Sequence, residues 1–168
     1  LRNLEADRRG RLMSVVSSRA LLERLVPTAD LLIGAVLTPG GRAPTLVDEQ
    51  MVKQMRNSSV IVDVAIDQGG CVATSIETTH TNPTVRIHGV QHYAVGNMPG
   101  AVPFTSTEAL VSVTLPYIIG IAGRGLEEAV AERPELLSGL NTIRGSVCHP
   151  GVAKALEIAP RPPMACLR

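Results

Sequence analysis

The sequence is poor in aromatic residues, since it contains no tryptophan, two tyrosines and one phenylalanine. Proteins that bind single-stranded nucleic acid stack bases on aromatic side chains, and this chain has too few for such a surface. Its formal net charge is +1, so it also lacks the basic excess that is typical of nucleic-acid-binding domains. We therefore expect no nucleic-acid partner.

Cysteine is also scarce, and neither cysteine nor histidine follows a metal-binding pattern. The cysteines are Cys71, Cys148 and Cys166, and the histidines are His80, His88, His92 and His149. An odd number of widely spaced cysteines supports neither a disulfide framework nor a zinc site. No pair of histidines has a spacing such as H-x-x-x-H. The sequence predicts free thiols, no metal site, and histidines at the surface or hydrogen-bonded in the core.

Long uninterrupted apolar runs are another absence. A membrane-spanning helix needs roughly 20 predominantly apolar residues, and we expect the apolar stretches here to fall short of that length. The first residues, LRNLEADRRGR, contain no apolar signal region. These features predict a cytoplasmic protein without a membrane partner.

The chain has enough apolar residues for a core, because 45% of its 168 residues are hydrophobic and 18% are charged. Short apolar segments predict strands over residues 12–18, 29–36, 60–66 and 90–95, and the third of these is rich in β-branched residues. Helical spacing predicts helices over residues 1–12, 18–26 and 45–55. In the second helix Ser18 is the expected N-cap and Pro27 ends the helix, and in the third Thr45 and Asp48 have the spacing of a capping box. Strands that alternate with helices indicate an α/β fold with a parallel sheet.

The pattern changes after residue 103. Residues 105–123 predict one long apolar helix in which Thr105 and Glu108 form a capping box and Pro116 introduces a kink. Weaker helical segments over 125–140 and 150–159 follow without further strands. The long helix is apolar around more of its circumference than one sheet contact requires, so we expect it to take part in a homo-oligomer.

The candidate site lies where predicted strands end, because ligands of open parallel sheets bind at the carboxyl ends of the strands. Residues 34–41, 65–70 and 95–100 each leave a strand and contain glycine. Glycine permits close approach of a ligand to the backbone, although ordinary turns use it as freely. Asp67 ends an apolar run, where a carboxylate needs a partner or water. It can accept a hydrogen bond from a ribose or hold a water, whereas Asp63, inside the run, is interpreted as structural.

A phosphate-binding motif is missing from these residues. No G-x-G-x-x-G follows a predicted strand, so the half of a dinucleotide-binding fold that carries this motif is not present in the sequence. None of the histidines is assigned a catalytic role.

Four stretches nevertheless resemble one family in order and spacing. The four stretches are ADLLIGAVLTPGGRAPTLVDEQMVKQM, SVIVDVAIDQGG, NMPGAVP, and TSTEAL followed by TLPY. They resemble the alanine dehydrogenases and, less closely, the transhydrogenase α subunits. The related transhydrogenase loop has glutamate in place of Asp67, so alanine dehydrogenase is favoured. The resemblance implies the second half of a Rossmann-type NAD-binding domain over residues 1–103 and a helical return segment of the substrate domain over 104–168.

The resemblance also implies a cofactor, a reaction and a set of site residues. NAD would take up hydride from the α-carbon of L-alanine, giving an imine that water converts to pyruvate and ammonia. Asp67 is similar to the family's catalytic aspartate. The implied cofactor-binding residues are Ser17, Val36 and Leu37 on the adenosine side and Val64, Ala65, Ile66, Asp67, Val95, Gly96, Asn97 and Met98 around the nicotinamide and its ribose.

Some positions depart from the family pattern. Ile76 and Glu77 stand where the family usually has Arg-Pro, and Gly96 stands where alanine is more usual. By resemblance, the family's substrate-binding arginine and lysine and its acid/base histidine belong to an N-terminal part that these residues do not include. We therefore expect the 168-residue chain alone to bind NAD weakly or not at all and not to oxidise alanine. A non-catalytic remnant or interaction piece is the alternative interpretation, as is a transhydrogenase-like NAD-binding domain.

Overall fold

The computed structural model describes residues 12–167 and shows an α/β fold. Its strands are β1 (Leu31–Gly34), β2 (Val60–Asp63), β3 (Thr84–Ile87), β4 (Val90–Tyr93), β5 (Thr142–Ile143) and β6 (Ser146–Val147). Its α-helices are α1 (Arg19–Leu25), α2 (Glu49–Lys53), α3 (Pro103–Arg124), α4 (Leu126–Glu132), α5 (Pro150–Ala155) and α6 (Pro163–Leu167). Short 3-10 helices cover Val26–Thr28, Val64–Gln68, Met98–Ala101 and Pro134–Gly139. The predicted helix over residues 1–12 lies outside the described residues, apart from Leu12.

A four-stranded sheet in the order β1-β2-β4-β3 is the centre of the fold. Leu31 of β1 is paired with Val60 of β2, and Val60 with Gln91 of β4, all in parallel. The predicted α/β class and the parallel arrangement of these three strands are confirmed. The two interior strands, β2 and β4, each alternate buried with half-buried residues, and Ile61 of β2 has no exposed surface. The β-branched residues of β2 suit this position, because an interior parallel strand is covered to some extent on both faces.

Strand β3 is antiparallel and was not predicted from the sequence. It pairs with β4 through a two-residue turn at His88 (φ 52°) and Gly89 (φ 79°). Two consecutive residues with positive φ form the type I′ turn that two-residue hairpins favour. The usual Asn-Gly or Asp-Gly signature of this turn is replaced here by His-Gly. The sheet is therefore mixed, with an antiparallel strand at one edge.

The strand predicted over residues 12–18 is wrong. This segment has no regular secondary structure, and Val16 is 89% exposed. A strand is held by hydrogen bonds to a neighbouring strand, and within residues 12–167 the four-stranded sheet does not include this segment. Val15 and Val16 favour a strand locally, but their composition alone does not place the segment in the sheet.

Side-chain caps define the starts of the two short helices. The Ser18 hydroxyl accepts a hydrogen bond from the Leu21 amide at 3.3 Å, which confirms the predicted N-cap of α1. Helix α2 begins one turn later than predicted, because Asp48 is its N-cap and accepts from the Met51 amide at 2.9 Å. The predicted cap at Thr45 is therefore wrong. A carboxylate at this position also benefits from the positive end of the helix dipole.

Helix α3 has 22 residues, and none of them is buried. It begins at Pro103, which needs no amide donor in the first turn, and its N-cap Val102 makes no side-chain hydrogen bond. The predicted capping box of Thr105 and Glu108 is wrong, since both residues lie inside the helix. Within the described residues, α3 is long and apolar enough to cross a membrane by length and composition, contrary to the expectation that no stretch reaches that length.

Two separate apolar cores organise the chain. One packs β1, β2 and β4 against α2 and contains Val52, Ile61 and Val90. The other packs α4, the β5-β6 hairpin and α6, and it contains both Cys148 and Cys166. The sequence spacing of these cysteines did not indicate that the fold would bring them together. All three cysteines are free and buried.

Candidate functional site

The carboxyl ends of β1, β2 and β4 lie side by side at one edge of the sheet. Gly34 at the end of β1 is paired with Asp63 at the end of β2, and β4 ends beside them at Tyr93. The loops that follow contain most of the residues proposed from the sequence. These are Val36 and Leu37 after β1, Val64, Ala65, Ile66 and Asp67 after β2, and Val95, Gly96, Asn97 and Met98 after β4. We call this group of three loops the carboxyl edge.

Ser17 does not join this group through any hydrogen bond in the described part of the chain. It is exposed in the irregular segment before α1. Its proposed place on the adenosine side of a cofactor stays a prediction.

Asp63 is the buried carboxylate of the site, with no exposed surface. It accepts hydrogen bonds from the amides of Ala65 (3.2 Å), Cys71 (3.0 Å) and Val72 (3.1 Å). Several amide donors compensate a carboxylate for the loss of water. These contacts end β2 at Asp63, three residues earlier than the sequence predicted, and turn the chain into the 3-10 helix Val64–Gln68. Asp63 thereby fixes the segment that carries Asp67.

Asp67 is exposed, so it does not carry the cost of burial that its place in the sequence suggested. Its Oδ1 accepts a hydrogen bond of 2.9 Å from the Asn97 amide in the loop after β4. Asn97 has a left-handed conformation (φ 53°, ψ 55°), which asparagine tolerates better than most residues. Within residues 12–167, Oδ2 of Asp67 accepts no hydrogen bond and is available to a ligand.

Arg42 is a site residue that the sequence patterns did not indicate. Its Nε lies 3.0 Å from the position that a Cβ at Gly69 would take. The loop that carries Arg42 is held to the 3-10 helix, because the Ala43 amide donates to the Gln68 carbonyl at 2.9 Å. Among residues 12–167, Arg42 takes part in none of the ion pairs. It therefore places one cationic group beside the glycine pair.

A second loop, residues 76–80, flanks the carboxyl edge on the side of β4. The Thr78 amide donates to the Ala94 carbonyl at 2.9 Å, and the Gly96 amide donates to the Thr78 carbonyl at 3.2 Å. His80 Nε2 lies 3.2 Å from the Asn97 carbonyl oxygen. This loop has no hydrophobic periodicity, so no sequence pattern indicated that it would lie beside Asp67.

An open groove of about 580 Å³ continues from the carboxyl edge toward α3. Asn97, Pro99, Gly100, Ser106 and Leu110 are among the residues that line it. Its lining is largely apolar, and Asn97 belongs both to the groove and to the contact with Asp67. A ligand bound at Asp67 therefore has room to extend toward the start of α3.

Two buried titratable groups beneath the edge are structural. His92 Nδ1 donates to the Val90 carbonyl at 3.1 Å, and Nε2 accepts from the Thr74 hydroxyl at 2.8 Å. Burial lowers the pKa of His92, so the ring is held neutral. Burial and the neighbouring Asp63 carboxylate raise the pKa of the Cys71 thiol to about 11. His92 is thus a hydrogen-bonded core residue, and Cys71 is an unreactive thiol.

Comparison with known proteins gives matches to one family. The chain is 53% identical over 150 residues to alanine dehydrogenase 2 of Staphylococcus aureus (strain USA300), covering 89% of this chain and 40% of that protein. The same values hold for the protein of strain COL. A solved structure of L-alanine dehydrogenase superposes with a TM-score of 0.75 at 49% identity, covering 93% of this chain and 43% of that one. The chain thus spans less than half the length of these relatives.

Residues 1–150 match the family described as alanine dehydrogenase/PNT, C-terminal domain. This match covers most of the 168 residues and agrees with the resemblance in the sequence. It includes β1, β2 and β4 and therefore the whole carboxyl edge. The chain belongs to the alanine dehydrogenase/PNT C-terminal domain family.

Proposed function

We propose that this chain forms the second half of the NAD-binding domain of an NAD-dependent alanine dehydrogenase, together with a helical return segment. The proposed division places residues 1–103 in the NAD-binding domain and 104–168 in the segment that rejoins the substrate domain. The observation that carries the proposal is the hydrogen bond between Asp67 and Asn97, which joins two carboxyl-edge loops around a free carboxylate oxygen. The two separate apolar cores support the division.

The carboxyl edge has the chemistry that an extended dinucleotide needs. Leu37 is 71% exposed and offers an apolar surface after β1, and Val64, 45% exposed, does so after β2. Arg42 supplies a positive charge near the glycine pair, where a phosphate group would be neutralised. Glycines in all three loops permit close approach of a flat ring to the backbone. These residues fit NAD, with the nicotinamide end near Asp67 and the adenosine end near Val36 and Leu37.

In this proposal bound NAD would supply the hydride acceptor for oxidation of L-alanine at its α-carbon, and water would convert the resulting imine to pyruvate and ammonia. Asp67 is the catalytic residue, because its free Oδ2 can accept a hydrogen bond from a ribose hydroxyl or orient a water. Asn97 is a positioning residue that fixes Asp67 through its backbone amide. The relatives are more than twice as long as the matched region, and we propose that their remaining part supplies the groups that bind alanine.

NAD binding is tested by titrating NAD⁺ into the 15N-labelled chain and recording amide shifts. We expect weak binding whose largest shifts fall on the amides of residues 64–70 and 95–98. Asp67→Asn should weaken binding, because the amide lacks the charge and one of the two acceptor oxygens. Asp30→Asn is the matched control, since Asp30 is exposed at the opposite edge of the same sheet and pairs with Arg56 at 3.0 Å. Shifts confined to the opposite edge or to α4 would contradict the proposed site.

Catalysis is tested after completing the chain with the N-terminal part of the Staphylococcus aureus enzyme in one polypeptide. Asp67→Asn should lower kcat for L-alanine oxidation by roughly 100-fold, as expected for loss of a group that orients the ribose or the attacking water. The melting temperature should change little, because Asp67 is exposed. An unchanged kcat in Asp67→Asn would reduce Asp67 to a structural role.

A further inference from the structure

Glu77 occupies the space that a side chain at position 96 would need. A Cβ built on Gly96 would overlap with Oε1 of Glu77. The same Cβ position lies 3.5 Å from Oδ1 of Asp67. Because Gly96 has no side chain, the carboxylates of Glu77 and Asp67 both lie close to this position on the carboxyl edge. No family role is assigned to Glu77, where the sequence resemblance leads one to expect proline.

Backbone hydrogen bonds hold Glu77 in this place. Thr78, the next residue, forms a parallel bridge with Val95. The Thr78 amide donates to the Ala94 carbonyl, and the Thr78 carbonyl accepts from the Gly96 amide. The Thr78 hydroxyl also donates to the Pro83 carbonyl at 2.9 Å, which fixes the far end of the loop. The path of the chain directly after Glu77 is thus set by the loop after β4.

The charge of Glu77 is not neutralised by a neighbouring cation in the described part of the chain. Glu77 appears in none of the ion pairs formed by residues 12–167. Arg42, a cation of the carboxyl edge, neighbours the Cβ position at Gly69 and not the one at Gly96. The end of the edge near Gly96 is therefore negative.

We propose that Glu77 is a specificity-determining residue that favours the oxidised over the reduced cofactor. This inference rests on the proposed function, which places the nicotinamide beside Asp67 and Gly96. The oxidised nicotinamide ring carries a positive charge that the reduced ring lacks, whereas the phosphates are the same in both forms. A second carboxylate at this end therefore stabilises bound NAD⁺ more than bound NADH.

The test compares the dissociation constants of NAD⁺ and NADH for the full chain, measured from amide shifts at low ionic strength. Glu77→Gln keeps the size of the side chain and removes its charge. We expect the ratio Kd(NADH)/Kd(NAD⁺) to fall by about fivefold, the upper range for a partly exposed charge. The fall should shrink in 0.5 M salt, which screens exposed charges. A merely structural Glu77 would change both constants equally.

Gly96→Ala provides a second, independent variant. Its methyl group would displace the flexible end of Glu77 without removing a charge, so the ratio should fall in the same direction as in Glu77→Gln. Glu128→Gln on α4 and Gly123→Ala in α3, where a Cβ meets no atom within 4 Å, are the matched controls and should leave the ratio unchanged. An unchanged ratio in Glu77→Gln overturns this inference alone. Failure of the unaltered chain to bind either nucleotide overturns the proposed function and this inference with it.

Discussion

The backbone amide of Asn97 donates a hydrogen bond of 2.9 Å to the carboxylate of Asp67, which lies on a different loop of the carboxyl edge. The donor is the backbone, so the contact depends on the conformation of Asn97 and not on its side chain. The left-handed conformation of Asn97 points its amide toward the loop after β2. The loops after β2 and β4 are thereby joined directly across their exposed sides.

Substitution of Asn97 should separate conformation from side-chain chemistry. Asn97→Gly keeps the amide and accepts positive φ, so we expect the free energy of unfolding to change by less than about 0.5 kcal/mol. Asn97→Val should lower it by roughly 1–2 kcal/mol, because a β-branched residue is strained in the left-handed region. Urea unfolding measures both values. Equal losses in the two variants would show that the side chain, not the backbone conformation, supports the loop.

Substitution of Asp63 and of Asp67 by asparagine tests which of the two carboxylates contributes more to the free energy of unfolding. Asp63→Asn replaces an acceptor oxygen by an amide that faces the amides of Cys71 and Val72, so we expect a loss of about 2–3 kcal/mol in the free energy of unfolding. Asp67→Asn should cost less than about 1 kcal/mol, because Asp67 is exposed and keeps one acceptor oxygen. The same urea titrations measure this difference. A larger loss in Asp67→Asn would reverse the two roles.

The stability of the chain should fall as the pH is lowered from 7 to 5, and His92 should contribute to this fall. Burial lowers the pKa of His92 in the folded chain, so below its ordinary pKa the unfolded chain binds a proton that the folded chain does not. The contribution is at most about 1.4 kcal/mol per pH unit. It is fully present above the unfolded pKa and is lost progressively as the pH falls from there through the lower pKa of the folded chain.

Urea unfolding at pH 7, 6 and 5 measures this dependence. His92→Gln should be less stable at pH 7, because the hydrogen bonds to Val90 and Thr74 are disturbed, and should show a smaller decrease toward pH 5. His80→Gln, at an exposed position, should retain the decrease of the unaltered chain. Identical slopes in all three proteins would show that His92 does not contribute.

Helix α3 should lie in a subunit interface of the whole protein. It exposes large apolar side chains along its length, including Phe104, Leu110, Val113 and Ile119. We therefore expect sedimentation of the completed enzyme to show one defined oligomer and its melting temperature to rise with concentration. Val113→Glu should shift the protein toward smaller species, since it would bury an unpaired charge. Glu108→Gln is a control on the same helix. A monomer that is stable at all concentrations would contradict this expectation.

Much of the fold could be predicted because β1, β2 and β4 lie in short, mainly apolar segments that alternate with helices. The loops predicted at the ends of two of these strands, residues 65–70 and 95–100, follow paired parallel strands in the structure and lie at one edge. Helix ends were less predictable. Asp48, not Thr45, caps α2, since several polar residues in one turn compete for the same amides.

The parts of the site that were missed depend on contacts between distant residues. The β-branched run after Val60 continues to Ile66, and no local pattern indicates that the Asp63 carboxylate ends the strand by capturing amides at Cys71 and Val72. Arg42 and Glu77 lie on irregular loops without periodicity. Their places beside Gly69 and Gly96 follow from tertiary packing alone.

The turn at His88 and Gly89 also bears on the order in which the sheet assembles. Strands β3 and β4 are joined by these two residues, whereas pairing of β1 with β2 requires closure of the long connection that contains α2. A hairpin forms in roughly 1–10 μs, and the entropy lost on closing a loop grows with its length. We therefore expect the β3-β4 hairpin to form early, so that the antiparallel edge serves as the template on which β2 and then β1 are added.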